Sequence, residues 1–244
     1  MNMKPFAVIF SLAIMMSASL PVFAAAGGDL MHADTNVRDT ASVQRGARLF
    51  VNYCLSCHDA SYMRYNRLVQ DLGLEEDAVM ENLVFSDAKI GDRMEIAMRP
   101  QDAEAWLGKT PPNLSLVARS RGTDWLYTYM MTFYEDETGG WNNLALPNAS
   151  MPHVMWQLQG IQKPMYAKDD AGHDVIDHLV VYEPGLQSPE EYEATVNDLV
   201  TFLEYLAEPA KLKRTSIGIW VLLFLGLFTG VAYLMKAEFW RDVH

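Results

Sequence analysis

Two cysteines three positions apart, followed at once by a histidine, are the residues of this 244-residue chain whose types and spacing could do chemistry: Cys54-Leu55-Ser56-Cys57-His58. In a C-x-x-C-H segment two thiols can reach the two vinyl groups of one porphyrin, and the imidazole that follows can ligate its iron. Cys54 and Cys57 are the only cysteines in the chain, so no thiol is left for another role. Three other readings compete. A thioredoxin-like redox pair would want a βαβ pattern around it, whereas the flanks read as helix. A structural zinc site needs four ligands; the missing two would have to be His173 and His178, acceptably spaced from each other but far downstream. The third is a lone disulfide between Cys54 and Cys57. The spacing favours one covalently bound haem c, with His58 as the proximal iron ligand.

A low-spin electron-transfer haem needs a sixth ligand, and His/Met ligation raises its potential. The chain has 15 methionines, so composition selects none of them. Local context points to Met151, in Asn148-Ala149-Ser150-Met151-Pro152-His153, where a proline could pin a loop methionine against iron. Met94, Met98 and Met130 fall in amphipathic segments and read as core filler. His153 is the chemical rival, since bis-histidine ligation would lower the potential. An iron left open at this position would instead suit a peroxidase or gas sensor, with a high-spin spectrum and rapid carbon monoxide binding.

Several elements must position these groups. Ala41 to Tyr53 has Val43, Gly46, Leu49 and Phe50 spaced for one face of an amphipathic helix running into the cysteine motif. A glycine inside a helix is destabilising, so Gly46 needs a packing reason. Ser188-Pro189-Glu190-Glu191 reads as a capping box with proline at the first helical position. The helix it opens runs to about Ala207 and stops before Pro209, with Tyr192, Val196, Leu199, Phe202, Leu203 and Leu206 on its apolar face. The two helices are expected to cross, with Gly46 packing near Phe202 or Tyr205. Asp71–Val84 and Trp125–Tyr134 also read as helical, Trp141–Gly160 as loop, and Gln162–Glu183 as a short strand pair. The fold class expected is mainly α: a class I cytochrome c-like haem domain with loop insertions.

Both ends differ from this domain. Lys4, an apolar stretch from Phe6 to Leu20 and the small-residue pattern Val22-Phe23-Ala24 predict a signal peptide over 1–24, an uncleaved anchor being the alternative. Ile217 to Met235 is a 19-residue run without charge, about the length needed to cross the roughly 30 Å bilayer core as a helix; a buried soluble helix is the alternative. Trp220, Tyr233, Phe239 and Trp240 suit an interfacial belt, and Gly226-x-x-x-Gly230 could admit a partner helix. Lys211, Lys213 and Arg214 before the span against Lys236 and Arg241 after it weakly favour the opposite orientation. Export by the signal is expected to outweigh this bias. The expected order is therefore signal peptide 1–24, periplasmic haem domain 25–213, single anchor 214–236 in the inner membrane and cytoplasmic tail 237–244. The formal net charge of −12 argues against nucleic acid as a partner and favours a basic one.

Taken together, these residues make the chain similar to the cytochrome c1 family, the haem subunit of the bacterial ubiquinol–cytochrome c reductase (cytochrome bc1) complex. The resemblance spans the signal, the Arg45-Gly46 helix, the C-x-x-C-H motif, the proline–asparagine loop, the Met-Pro loop, the final helix and the anchor. It implies Cys54 and Cys57 as thioether positions, His58 and Met151 as iron ligands, and Pro111-Pro112-Asn113-Leu114-Ser115 as haem-pocket lining, with Pro112 in it; many members carry Asp in place of Asn113. Arg121 matches an arginine that meets a haem propionate in the family, although Arg119 lies two residues away and could take that role. Trp125 falls where some relatives place a tyrosine. His153 and Trp156 match a bacterial Met-Pro-His-x-x-Trp pattern. The resemblance further implies a one-electron relay in the respiratory chain, from a Rieske iron–sulfur protein to a soluble or membrane-bound cytochrome c. Cytochrome b would be a fellow subunit, and the complex would be dimeric. Acidic clusters at Glu75-Glu76-Asp77, Glu135-Asp136-Glu137, Asp169-Asp170 and Glu190-Glu191 could steer a basic acceptor, though Glu190-Glu191 already has a capping use. The alternative is a free-standing membrane-anchored cytochrome c donating to a terminal oxidase.

Overall fold

Asp39 starts the first helix because its carboxylate accepts hydrogen bonds from the free backbone N–H groups of Ala41 and Ser42, at 3.1 and 3.2 Å. Helix α1, Thr40–Tyr53, then buries Val43, Gly46, Ala47, Phe50 and Val51 along one stripe. The computed structural model describes residues 30–242. The expected signal peptide, 1–24, lies outside the described residues, as do positions 243 and 244.

Twelve elements separate α1 from the long helix that closes the domain, and ten of them precede a hairpin. In chain order they are β1 (Ala60–Arg64), α2 (Asn66–Leu72), α3 (Glu76–Leu83), β2 (Arg93–Met94), α4 (Pro100–Leu107), α5 (Val117–Arg121), α6 (Thr123–Met131), β3 (Phe133–Glu135), β4 (Trp141–Asn143) and α7 (Trp156–Gln159). A hairpin comes next, β5 (Gly160–Lys168) and β6 (Asp174–Pro184), then α8 (Pro189–Ala207) and α9 (Lys211–Phe239). The strands form three separate antiparallel pairs, β1–β2, β3–β4 and β5–β6. Helices therefore supply most of the core.

The capping box at the head of α8 forms in full: the Glu191 N–H donates to Ser188 Oγ at 3.2 Å and the Ser188 N–H donates to Glu191 Oε2 at 2.8 Å. All six residues expected on the apolar face of α8 are buried. α1 and α8 cross at Gly46, where a Cβ would sit 2.1 Å from the backbone oxygen of Asp198 and 2.6 Å from Phe202 Cβ. Only a residue without a side chain allows so close an approach. Phe50 and Phe202 pack beside it with ring centroids 5.3 Å apart. On the solvent side, Asp198 accepts from Ser42 Oγ at 2.6 Å and from Arg45 Nε and Nη2 at 2.5 and 2.8 Å. Deeper along α8, the Tyr205 hydroxyl donates to Asp71 Oδ2 at 3.0 Å and so ties α2 to the crossing.

Several local expectations need correction. The helix expected over Asp71–Val84 is broken in two, because Gly73 takes the left-handed conformation (φ 66°) and caps α2. The helix expected over Trp125–Tyr134 ends at Met131, and Phe133–Glu135 pairs with Trp141–Asn143 instead; the stretch expected as loop, Trp141–Gly160, therefore opens with strand β4 and carries helix α7 before β5 begins at Gly160. Met94 and Met130 are buried in the core, as core filler should be, although Met94 lies in a strand and Met98 in an irregular segment that is only partly buried. The strand pair is longer than Gln162–Glu183, pairing Gly160 with Pro184 at its base and Lys168 with Asp174 near its tip.

α9 has no buried residue and is the one helix among the described residues long and apolar enough to cross a membrane. Ion pairs of Lys211 with Glu204 and of Arg214 with Glu208 join its first turn to the end of α8.

Substituting Gly46→Ala tests the crossing. Alanine gains about 1 kcal/mol of helix propensity, but overpacking a tight contact costs about 1–3 kcal/mol, and here the obstruction is backbone. The expected result is a net loss of stability, read as a lower urea midpoint. An equal or higher midpoint would show that the helices do not meet at this residue.

Candidate functional site

α1 ends at Tyr53, and Cys54 caps it by donating its N–H to the Phe50 carbonyl at 2.8 Å. The cysteine motif then turns back on itself, with the N–H groups of Cys57 and His58 donating to the Cys54 carbonyl at 3.1 and 2.9 Å. The motif thus hangs directly from the helix that crosses α8. Cys54 is buried, Cys57 and His58 are half-buried, and both thiols are free. Burial, with a smaller contribution from Cys57, pushes the Cys54 thiol up to about 12, so it stays protonated.

His58 Nδ1 lies 2.7 Å from the Pro112 carbonyl. A carbonyl only accepts, so Nδ1 carries the proton and donates, and Nε2 keeps its lone pair. Burial lowers the His58 pKa, against the opposing pull of the Pro112 hydrogen bond and of Asp59, which favours the neutral ring. The carbonyl is fixed by the loop around it. The Leu114 N–H donates to the Asp59 carbonyl at 2.8 Å, Asn113 Nδ2 donates to Ser61 Oγ at 2.5 Å, and the Ser115 N–H donates to Asn113 Oδ1 at 2.8 Å. Ser115, itself buried, accepts from the Tyr62 N–H at 3.1 Å. The 111–115 segment is therefore laced onto the chain that leaves His58.

Arg121, at the end of α5, is exposed and lies over the Trp125 ring, 4.9 Å from its centroid. Arg119 is also exposed. Trp125 begins a row of rings: it stacks on Tyr129 at 5.0 Å, Tyr129 meets Phe133 at 4.9 Å, and Phe133 stacks on His153 at 5.0 Å. The spacing 125, 129, 133 continues one face of α6 into β3. This row joins the arginine segment to the segment carrying Met151.

Met151 is half-buried and packs against the core. The stretch leading to it is organised by two asparagines. Asn143 is fully buried, donates to the Tyr129 carbonyl at 2.7 Å and accepts from the N–H groups of Ala145 and Leu146. Asn142 Oδ1 accepts from the Asn148 N–H at 2.8 Å. Sequence reasoning missed both asparagines; the Gly-Gly-Trp-Asn-Asn run marked a loop, but not that its polar side chains replace a backbone ladder. His153 is buried, and Met155 beyond it is wholly enclosed. Leu116, Leu144 and Leu146 stay exposed on the two segments that carry Pro112 and Met151.

The structure thus brings Cys54, Cys57, His58 and Pro112 together, and connects Arg121 with the Met151 segment through the aromatic row.

The Cytochrome C1 family model matches residues 32–243. A cytochrome c1 of Allochromatium vinosum is 46% identical over 235 residues, which is 94% of this chain and 96% of that protein. An "ammonia monooxygenase gamma subunit" of Nitrosomonas europaea is 48% identical over 208 residues, 84% of this chain and 85% of that protein. A "cytochrome b/c1" of Bradyrhizobium diazoefficiens is 28% identical over 237 residues, 84% of this chain but 34% of that longer protein.

Asn113→Ala removes the two bonds that the Asn113 side chain makes in the 111–115 loop and should cost about 1–2 kcal/mol, read as a lower urea midpoint of the purified holoprotein. Asn113→Asp should lose less, because its carboxylate can still accept from Ser115 and from a reversed Ser61 hydroxyl. Equal losses in the two variants would contradict this account of the loop.

Proposed function

Since the chain belongs to the cytochrome c1 family, we propose that it relays single electrons from a Rieske iron–sulfur protein to a soluble or membrane-bound cytochrome c, within a ubiquinol–cytochrome c reductase. The family carries haem, and it is an electron-transfer subunit of a reductase complex. The finer reading is one haem c, bound through Cys54 and Cys57, ligated by His58 and Met151, in a class I cytochrome c-like domain. When bound, the haem supplies the redox centre, its iron alternating between the ferric and ferrous states.

The observation that carries this reading is the His58–Pro112 hydrogen bond. It fixes the tautomer, orients the ring and leaves Nε2 as the donor, which is what an imidazole ligand to iron requires. The thiols fit as well: both are free, they lie on one turn, and they sit immediately before that imidazole. Exposed Leu116, Leu144 and Leu146 would gain an apolar partner from a porphyrin face.

Each residue then has a physical task. Pro112 holds His58 in register and makes Nε2 the more basic nitrogen. Met151 offers a soft thioether, which favours the ferrous state and a higher potential. Arg121, its planar fork resting on Trp125, is disposed to pair with a propionate, an anion costly to bury unless paired. No acid–base group is needed.

The long apolar helix α9 supports a single-pass anchor, and the proposal puts the haem domain on the periplasmic side of the inner membrane. On this reading the signal peptide is residues 1–24, the haem domain 25–213, the anchor 214–236 and the cytoplasmic tail 237–244. The "cytochrome b/c1" name of the Bradyrhizobium relative supports cytochrome b as a partner, and a dimeric complex fits the same reading. The ammonia monooxygenase name of the Nitrosomonas relative raises a second assembly.

Purification from membranes distinguishes these assemblies, since the reductase reading requires cytochrome b and Rieske subunits to accompany the chain. Isolation of the haem protein alone would favour a free-standing donor to an oxidase. In the purified complex, Met151→Leu should keep covalent haem yet lower its midpoint potential by roughly a hundred millivolts, axial ligands setting haem potentials over about 0.8 V. An unchanged potential would remove Met151 as a ligand.

A further inference from the structure

His153 is the one buried histidine among the described residues, and nothing so far accounts for it. It is 1% exposed, and neither ring nitrogen has a hydrogen-bond partner. Leaving such groups unpaired in an interior is costly, so a histidine here calls for an explanation beyond filling space. Its ring lies flat on Phe133, with centroids 5.0 Å apart and planes 4° apart. The edge of Trp141 meets it at 5.4 Å and 82°, and Tyr192 of α8 approaches at 6.5 Å.

The arrangement gains meaning from what lies between the touching rings. Trp141 opens the segment that leads to Met151, and His153 closes it two residues after the methionine. Their contact turns residues 141–153 into a closed strap. Asn143 pins the near end of that strap, and the far end runs through the enclosed Met155 into α7. Gln159 adds a polar tie: its Nε2 donates to the Met131 carbonyl at 2.9 Å, while its Oε1 is buried without a partner. A small turn of the imidazole lets a ring N–H donate to that oxygen, satisfying two orphaned groups at once. Phenylalanine would reproduce the stacking but not this bond.

We infer that His153 is a positioning residue for Met151: as the clasp of the Trp141–His153 strap, it holds the thioether in the place from which it ligates iron. The inference deepens the function proposed above and rests on Met151 being the distal ligand. The closed strap limits the freedom of the loop carrying the methionine, so less order must be imposed when the sulfur binds. His153 itself stays off the metal, held by the stack on Phe133.

Displacement of the native ligand by exogenous imidazole in the purified ferric holoprotein tests this, followed through the methionine–iron charge-transfer band. His153→Ala should bind imidazole roughly tenfold more tightly, the worth of losing one or two aromatic contacts, and should lower the midpoint potential. His153→Phe, which keeps the stack, should recover most of the loss. Trp141→Leu, which opens the clasp from its other side, should resemble His153→Ala, and it serves as the independent variant if that one does not fold. Loss of thermal stability with unchanged imidazole affinity and potential would overturn the inference, leaving His153 a packing residue. A wild-type protein with no methionine–iron band would instead defeat the ligand assignment on which the inference stands.

Discussion

Backbone meets backbone where α1 crosses α8, and the rest of the structure is arranged around that approach. Gly46 has no side chain, so the Asp198 carbonyl can come within a distance that any Cβ would block. The crossing fixes where α1 ends, and the cysteine motif begins on the next residue. Asp198 reinforces it from outside by gathering Ser42 and Arg45, and the Phe50–Phe202 contact reinforces it from within. A helix pair held this closely is a rigid mount, and a redox group whose geometry must not change between oxidation states benefits from one.

From that mount the two sides of the site are built by different means. The His58 side depends on hydrogen bonds, because the 111–115 loop has no regular ladder of its own and must borrow partners from residues 59–62. The Met151 side depends on rings, in a row that runs from Arg121 through Trp125, Tyr129 and Phe133 to His153. Polar lacing sets the tautomer of an imidazole, while stacked rings hold the segment that carries Met151. On the proposed reading both serve a one-electron redox centre.

The parts of the fold that were legible in the sequence are those written in local chemistry. The capping box of Ser188 and Glu191, the apolar stripe of α8, the glycine at the crossing and the long uncharged run of α9 each follow from a pattern within a few residues. The loops were not legible in this way. Nothing in the sequence around Phe133 separates the end of a helix from a short strand, because its partner, Trp141–Asn143, lies across a turn. The break at Gly73 was missed because a lone glycine can be tolerated inside a helix or can end one, and residue type alone does not separate the two. For the site, the motif and its histidine were explicit, whereas the Pro112 carbonyl was not: a backbone oxygen leaves no signature in residue type. Asn143 and the clasp of His153 on Trp141 were equally hidden, since both depend on contacts made only after the chain has folded.

The central claim, that the iron is held between His58 and Met151, is tested most directly by proton NMR of the reduced holoprotein with isotope-labelled methionine methyl groups. A methyl seated over the porphyrin is shifted far upfield by the ring current, away from the other methionines. The account predicts one such resonance, connected by sequential assignment to Met151 and its neighbours Ser150 and Pro152. An upfield methyl assigned to another methionine, such as Met98, or a spectrum with none, would contradict it.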